Sequence, residues 1–600
     1  MEILKKRILP SVVAALLTCL VLDSHFFLSV PVLESFFSLP QWLSVILMTI
    51  LYDMALSLTH WRGWKLPLLL GGCFAVMTLL GLHYSRNEIL SVQILGWVPV
   101  LAALTFFWAS ASAALFAVLD LREQKGEKRQ SFSSKERSFG TAGGIWPMAA
   151  RVAVLTWLVY GPVFLAVYPG IYSYDASVQV LQVFGDMPLS THHPLAHTAY
   201  LCGCLKLGEW LFGSYQAGLA IYSLSQALFM TAVISLLLCR MRERGASLPL
   251  LAVSWAFLVL NPYLTVFSFV TTKDVIFGGF FALVFDLACS LSENPARFLR
   301  SRKAVFFFFG SVFLMCLFRN QGIYVFLFFA AVFAVGHRKS EKFPGYHFLL
   351  GVILVTAGWY VCSVPLPAAL GAEKGDAREM LSVPMQQLAR AWNEEPERLT
   401  KEELTYIESV IDPAALCQYV RVNADPVKSG FQTGVVKKDP VRFFRTWAGI
   451  GLRMPLLYAD SFFMGNWGYW YPGDSQYWIS YILFDGAFLE EPFNVLHIYR
   501  AGKLPALEAA LRDLTLTPVF QKIPFLGVLL NQAFPFWLML LSGTAALRRK
   551  DRWGIVALSL IFGYWGTLLL GPVTSLRYVL PILYCVPRMM ELLVARRTGE

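Results

Sequence analysis

Long apolar stretches, separated by short polar and basic segments, run through most of the 600-residue chain. A helix that crosses a membrane needs about 20 mainly apolar residues. Because such stretches recur, we predict an all-α polytopic membrane protein with roughly 14 transmembrane helices. The predicted spans are 8–30, 41–59, 65–84, 92–119, 147–168, 217–239, 248–268, 275–291, 304–318, 322–336, 347–369, 527–547, 553–571 and 577–594.

The positions of lysine and arginine predict the orientation of these spans. Basic residues collect in short segments such as 121–138, and short basic loops stay on the cytoplasmic side. Both termini are then cytoplasmic, provided that 197–214 lies along the outer membrane surface as a juxtamembrane helix. Lys206 and Glu209 favour this placement, because a charge at the bilayer centre is costly.

The same frame divides the chain into four parts. We predict an N-terminal transmembrane module of about four helices with a basic cytoplasmic loop (1–146), a transmembrane core (147–370) with a first outer loop (169–216), an extracytoplasmic region (371–526) and C-terminal transmembrane helices (527–600). The pattern of 384–411 indicates that the extracytoplasmic region begins as a small helical subdomain.

Composition and motif content give no indication of nucleic-acid or nucleotide binding. Residues 371–524 contain 16 Lys or Arg and 19 Asp or Glu, a net charge of −3, so the basic excess behind the total of +11 lies in the remainder and reports topology. No nucleic-acid partner is indicated. The chain contains no Walker sequence and no G-x-G-x-x-G, G-x-S-x-G or H-E-x-x-H motif, so nothing points to nucleotide binding.

Residues 173–197, "SYDASVQVLQVFGDMPLSTHHPLAH", concentrate polar groups in this apolar chain. Ser173 is a good N-cap, and a helix from there carries a polar stripe along one face. The stripe consists of Asp175, Gln179, Gln182 and Asp186. We interpret the segment as an amphipathic surface helix that presents Asp175 at its start, the alternative being a solvated face without chemistry.

The histidines of this segment raise the question of a metal. Pro194 suits the first turn of the next helix. His193 and His197 are four residues apart, so they could share a helix face and bind a metal with Asp175 or Asp186. Histidines that are only hydrogen-bonded are the alternative, which we favour. No cofactor is firmly implied, and a divalent metal is left open.

Three cations mark a possible anion site. Lys273, Arg319 and Arg577 each lie at the outer end of a predicted span, where a lipid phosphate would be. Arg319 and the adjacent Asn320 separate two short apolar runs, which suggests a broken helix pair that lines a cavity. The alternative is that these cations anchor helix ends at the interface. The aromatic segment 458–484 suits either a sugar or prenyl chain, or an interfacial belt.

The order of several motifs resembles a known family. These motifs are "YPGIYSYDASVQ", "THHPLAHT", "NPYLTVFSFVTTKD", "RNQGIYV", "GYWYPG" and "LRYVLP". Together they resemble the integral-membrane glycosyltransferases of the GT-C fold, which include protein mannosyltransferases and aminoarabinose transferases, and within these a bacterial branch of predicted membrane glycosyltransferases. The resemblance covers most of 150–595.

The resemblance implies transfer of a sugar from a polyprenyl-phosphate donor, in the membrane bilayer, to an envelope acceptor on the outer face. Asp175 would be the catalytic carboxylate of the family's first outer loop, a base or a group that orients the acceptor. We expect the membrane boundary to raise its pKa toward a useful value. Many members carry an adjacent Asp-Glu pair, whereas Ala176 follows here, so Asp186 or the histidines would have to take the second role. The predicted substrate-binding residues are Gln179, His192, His193, Lys273, Asp274, Arg319, Asn320, Arg577 and Tyr578.

Two other functions compete with this reading. A transporter or flippase of lipid-linked precursors would carry ionisable residues deep within its spans, and Asp53 and Asp286 are suggestive. The alternative is that both acids only cap helices or pair within the bundle. An envelope polymerase or ligase would also use outer Arg and His side chains.

Overall fold

The protein is described by a computed structural model at residues 2–26, 39–85, 97–127, 145–338, 345–473, 482, 484–485, 494–517, 523 and 526–594. About 81% of these residues lie in helices and none forms a strand, which confirms the all-α class. Six helices in this part of the chain are long and apolar enough to cross a membrane, and four shorter helices are also apolar. The chain therefore fits a multi-pass membrane protein, while fourteen spans stay a prediction.

The chain divides into two compact units. The first contains Met1–Glu136, Leu540–Asp551 and Leu592–Glu600. Its helices α1 to α4 pack against one another as an apolar bundle in which small side chains such as Ala55 and Ala113 are buried. Their bounds are α1 Glu2–Phe26, α2 Leu39–Leu58, α3 Lys65–Ser85 and α4 Val98–Glu127, with a short 3₁₀ turn at Trp61–Trp64. The basic loop predicted at 121–138 lies outside the described residues from 128 onward.

The second unit contains Arg137–Met539 and Arg552–Glu591. Its first group of helices is α5 Ile145–Ala166, α6 Tyr174–Phe184, α7 Leu195–Phe212, α8 Tyr215–Glu243, α9 Leu248–Val259, α10 Pro262–Phe267, α11 Lys273–Glu293, α12 Pro295–Arg300, α13 Arg302–Phe318, α14 Gln321–His337, α15 Gly345–Ser363 and α16 Pro365–Ala369.

The remaining helices lie within residues 371–594, and the last residues of α26 and α29 belong to the first unit. They are α17 Ser382–Glu394, α18 Lys401–Val410, α19 Pro413–Leu416, α20 Asp425–Ser429, α21 Thr433–Lys438, α22 Pro440–Arg453, α23 Pro455–Asn466, α24 Pro505–Leu516, α25 Leu526–Leu530, α26 Phe534–Arg549, α27 Arg552–Leu568, α28 Leu576–Tyr584 and α29 Val586–Val594. Short 3₁₀ turns lie at Ala377–Met380, Pro396–Arg398 and Trp467–Tyr469.

Helix α11 is the central helix of the second unit. In its most apolar part, 83% of the residues are buried inside the protein. The corresponding fraction for Gly345–Ala369, which contains α15, is 6%. It packs against α8, α13, α27 and α28. Lys273 and Asp274 begin this helix and Glu293 ends it. Charged side chains therefore lie at both ends of a helix that is mostly buried.

Several predicted spans are interrupted. The stretch 248–268 forms α9 and α10, because Asn261 caps a new helix that starts at Pro262. The stretch 577–594 likewise forms α28 and α29, with a break at Cys585. The predicted helix at 197–214 is confirmed as α7, and its position along the membrane surface stays a prediction.

The helical subdomain predicted at 384–411 is confirmed by α17 and α18. A capping box between Thr400 and Glu403 fixes the start of α18. A separate hydrophobic core runs from Met385 to Tyr458 and joins α17 to the helices that follow as far as α23. This subdomain therefore has its own packed interior.

Candidate functional site

Helix α6 carries Asp175 in its first turn. Ser173 occupies the N-cap position, but its hydroxyl donates to the Thr271 carbonyl at 2.9 Å and does not cap the helix. The backbone N–H of Ser173 in turn donates to the Thr271 hydroxyl at 2.9 Å. These two bonds tie the start of α6 to the segment that leads into α11.

The interpretation of α6 as an amphipathic surface helix is wrong. Gln179 is fully buried, and its neighbours Ala176 and Val180 are fully buried as well. The helix ends at Phe184, so Asp186 lies beyond it and is exposed. Helix α6 packs against α7, and Ala176 and Val180 belong to a core shared with α7 and α8, so Gln179 of the polar stripe lies inside the protein.

The Asp175 carboxylate is shared between two cations from distant parts of the chain. Lys273 Nζ donates to Asp175 Oδ2 at 3.0 Å, and Arg577 Nη1 donates to the same oxygen at 2.8 Å. Lys273 is the first residue of α11 and Arg577 lies in the first turn of α28. The starts of three helices thus meet at one carboxylate, which retains 22% of its side-chain exposure.

These partners reverse the expected pKa shift of Asp175. Burial raises the pKa of the carboxyl, but the Lys273 ammonium and the Arg577 guanidinium outweigh burial and hold it well below its usual range. The expectation of a raised pKa is therefore wrong for this arrangement. The carboxylate is ionised at neutral pH, and both cations restrain its ability to take up a proton.

His193 lies on the other side of Lys273. Burial, followed by the charge of Lys273, lowers the pKa of His193 to about 3, so its imidazole is neutral at pH 7. Its Nδ1 accepts a hydrogen bond from Lys273 Nζ at 3.1 Å. A metal that bridged His193 and Asp175 would need the place of this ammonium. No group of three or more His, Cys, Asp or Glu side chains among the described residues is positioned to hold a metal ion.

A second ion pair lies beside the first. Arg319 Nη1 is 3.0 Å from Oδ1 of Asp274, which is fully buried and accepts a hydrogen bond from Thr272 at its other oxygen. Arg319 also donates to the Tyr564 hydroxyl at 3.1 Å. The Asp274 charge stands at the N-terminus of α11, where the helix dipole favours an anion.

Tyr578 joins the two ion pairs. Its ring lies 4.9 Å from the Arg319 guanidinium and 4.8 Å from that of Arg577, and its hydroxyl accepts a hydrogen bond from Arg577 Nη2 at 2.8 Å. We call the connected group the Asp175 network. Its members are Asp175, His193, Lys273, Asp274, Arg319, Tyr564, Arg577 and Tyr578. Three cations stand against two carboxylates, so the network has a surplus of one positive charge.

Beneath the Asp175 network, a buried hydrogen-bond chain connects α6 with the segment before α11. His197 bonds Gln179 Oε1 through Nδ1 and the Tyr222 hydroxyl through Nε2, each at 2.8 Å. Tyr222 donates to Gln226 at 3.0 Å. Gln226 Nε2 donates to the carbonyls of Ser268 and Val270 at 3.1 and 2.9 Å. We call this chain the His197 relay.

Most of the predicted site residues therefore come together, but three do not join the Asp175 network. Gln179 belongs to the His197 relay and is sealed from solvent. His192 is exposed, and its ring packs edge-on against the ring of His193, with the two centroids 4.6 Å apart. Asn320 is exposed at the N-cap position of α14 and makes no side-chain capping bond.

Several contributing residues could not be recognised in the sequence. Tyr564 and Tyr222 lie inside apolar helices, where a tyrosine gives no local signal, and Gln226 is equally isolated. Thr272 did give a local signal, because a threonine directly before a helix whose first turn holds an acidic residue is a frequent N-cap. In the structure its side chain accepts a hydrogen bond from the Asp274 N–H.

The aromatic residues around 467–471 support the start of α28. Trp467, Tyr469 and Trp470 are buried. The Tyr469 hydroxyl donates to the Val573 carbonyl at 3.1 Å and accepts from the Ser575 N–H at 3.2 Å, just before Arg577. In this part of the segment the rings are placed to brace the start of α28, whereas much of 474–484 lies outside the described residues.

A second charged group lies near the other end of α11. Asp286 is fully buried, and Arg240, Arg244 and Arg588 surround it. Arg588 also contacts Glu293 at 2.9 Å and Glu591 at 2.8 Å. We call these six residues the Asp286 network. Three cations face three carboxylates, so the charges balance. The alternative that Asp286 only pairs within the bundle fits this arrangement.

Comparison with known families identifies the family to which the chain belongs. A profile described as "Family of unknown function (DUF6020)" matches residues 185–599. The chain belongs to DUF6020. No curated protein and no solved structure matches it. Of the Asp175 network, all members but Asp175 itself fall inside the DUF6020 match, since Asp175 lies ten residues before its start.

Proposed function

We propose that this protein is a membrane glycosyltransferase that moves a sugar from a polyprenyl-phosphate donor to an acceptor on the extracytoplasmic face, with both termini in the cytoplasm. The observation that carries the proposal is the Asp175 carboxylate held between Lys273 and Arg577. A carboxylate that can accept a proton stands beside cations that can hold a phosphate, which are the two groups that such a transfer needs.

The donor phosphate would compete with Asp175 for its cations. The donor phosphodiester carries one negative charge, like a carboxylate, and its two free oxygens accept bidentate hydrogen bonds from arginine. When it binds Lys273 and Arg577, these cations withdraw from Asp175 and the pKa of Asp175 rises. Arg319, held by Asp274, adds positive charge at the same place. In this scheme donor binding converts a restrained carboxylate into a usable base.

The chemical step then requires no further cofactor. The acceptor hydroxyl gives its proton to Asp175 while its oxygen attacks the anomeric carbon of the sugar. The bond from that carbon to the phosphate oxygen breaks, and its electron pair stays on the phosphate, where Lys273 and Arg577 stabilise the added charge. Attack opposite the leaving phosphate inverts the configuration at the anomeric carbon.

The acceptor would be a cell-envelope glycan, lipid or protein. A polymerase or ligase of lipid-linked precursors would use the same network and differ from this proposal only in the acceptor. A transporter has less support, because Asp286, one of the two acids that suggested it, is paired with three arginines.

The test is sugar transfer by the purified full-length protein in proteoliposomes, with a labelled polyprenyl-phosphate sugar and bacterial envelope acceptors. We expect Asp175→Asn to lower the rate by about 100-fold or more, the usual contribution of a positioned base. Asp186→Asn is the matched control, because Asp186 lies on the same segment but is exposed beyond the helix. Equal rates for Asp175→Asn and wild type would refute the catalytic assignment.

A further inference from the structure

Helix α22 exposes an apolar stripe although its other face is firmly packed. Phe443 and Ile450 are fully buried in the core of the helical subdomain. On the opposite face, Val441, Phe444 and Leu452 keep 63%, 46% and 84% of their area exposed. Together with exposed Ala448, these residues recur at intervals of three or four, so they form one continuous stripe, Val441, Phe444, Ala448 and Leu452.

Positive charge is concentrated around this stripe. Residues 437–453 contain five cations and one acid, a net charge of +4. The rest of 371–524 contains 11 cations and 18 acids, a net charge of −7. The cations of the stretch are Lys437, Lys438, Arg442, Arg445 and Arg453. A basic, apolar face thus stands out within an acidic region.

We propose that α22 lies in the membrane interface, with the stripe inserted at the headgroup boundary and the flanking cations against anionic phospholipids. The apolar helix α15 runs to Ser363, shortly before this region begins, so a bilayer is close to the subdomain. Amphipathic helices with basic flanks bind anionic membrane surfaces in this way, and long arginine and lysine stems can bury beside the stripe while their charges reach the headgroups.

Two ion pairs join α22 to α18. Arg453 contacts Glu403 and Arg442 contacts Glu402, both from α18. Arg445, next to Phe444, is exposed toward the same side as the stripe. A second copy of the chain is a poorer occupant, because a symmetric contact through this stripe would bring the Lys437, Lys438 and Arg445 charges of both copies together.

The experiment places a fluorescent label on the stripe in the full-length protein, reconstituted in vesicles of phosphatidylglycerol and phosphatidylcholine. Leu452→Cys and, independently, Phe444→Cys carry the label after Cys73, Cys362 and Cys417 have been replaced by serine. Glu397→Cys, exposed on the same subdomain, is the matched control. Brominated phospholipids report contact with the acyl boundary, and iodide reports contact with water.

We expect brominated lipid to quench both stripe labels and to leave the label at 397 unchanged. Quenching should weaken in vesicles of phosphatidylcholine alone, and also after Lys437→Glu, Lys438→Glu and Arg445→Glu are combined. Stripe labels that iodide quenches as strongly as the control would overturn the proposal. Labels shielded from both quenchers would also overturn it, and would assign the stripe to a second copy or another protein.

Discussion

The two ends of α11 carry charged networks of opposite character. Lys273 at the start of the helix and Asp286 further along lie about 20 Å apart, from 13 residues at the rise of an α-helix. In the Asp175 network three cations face two carboxylates, and the shared carboxylate keeps 22% of its exposure. In the Asp286 network three cations face three carboxylates, and the shared carboxylate keeps 1%.

We interpret this difference as one between a candidate ligand site and a structural ion-pair cluster. Buried ion pairs are weak evidence of stabilisation by themselves, because desolvation offsets much of their attraction. A balanced and sealed network can hold helices together, but it leaves no charge for a ligand. A network with surplus positive charge and an accessible centre can attract an anionic ligand. Helix α11 carries residues of both networks.

The largest expected effect concerns the sealed network. Asp286→Asn removes the carboxylate that three arginines share, and the loss of one partner from a buried ion pair costs about 3–5 kcal/mol. We expect a large drop in the midpoint of thermal unfolding in detergent. Glu293→Gln is the control, because Glu293 is half exposed and its removal should change the midpoint little. A similar midpoint for both variants would remove the distinction between the networks.

An intermediate effect is expected in the His197 relay. Tyr222→Phe deletes the hydroxyl between His197 and Gln226 and leaves two buried polar groups with a bond fewer, at a cost of about 1–3 kcal/mol. The unfolding midpoint should fall less than for Asp286→Asn. Tyr324→Phe, at an exposed tyrosine, should have no effect. An unchanged midpoint for Tyr222→Phe would show that the relay does not hold α6 to the α11 segment.

The smallest effect, taken per pH unit, is a pH dependence of stability at His197. Burial, followed by the charge of Lys273, lowers the pKa of His197 to about 3, whereas an unfolded histidine titrates near 6.5. Between these values the unfolded chain binds more protons, so stability should rise with pH by at most about 1.4 kcal/mol per pH unit. Unfolding midpoints of wild type and His197→Gln from pH 4 to pH 7 check this. Parallel curves for the two proteins would contradict it.

Much of the Asp175 network could be predicted, because topology alone groups its members. Asp175, Lys273 and Arg577 each follow or precede an apolar stretch on the same predicted side, and the structure brings all three to one point. The helical class and the helices α17 and α18 were equally visible in the hydrophobic periodicity.

Long-range packing determines the features of the site that local sequence patterns could not predict. The pKa shift of Asp175 has the opposite sign to the expected one, because two cations separated from it by 98 and 402 residues bond the same oxygen. Gln179 points inward because other helices cover α6 on the face where solvent was expected. Asp286 meets arginines from α8 and α29, a pairing that no local pattern encodes.

The most direct test of the central claim is the affinity for polyprenyl phosphate, measured by ligand-induced stabilisation of the full-length protein, with the uncharged polyprenol as control. Because Asp175 competes with the phosphate for Lys273 and Arg577, we predict that Asp175→Asn binds polyprenyl phosphate at least as tightly as wild type. Arg577→Gln should bind it about tenfold or more weakly, as expected for the loss of a charged hydrogen-bond partner. Weakened binding by Asp175→Asn together with unchanged binding by Arg577→Gln would contradict the account.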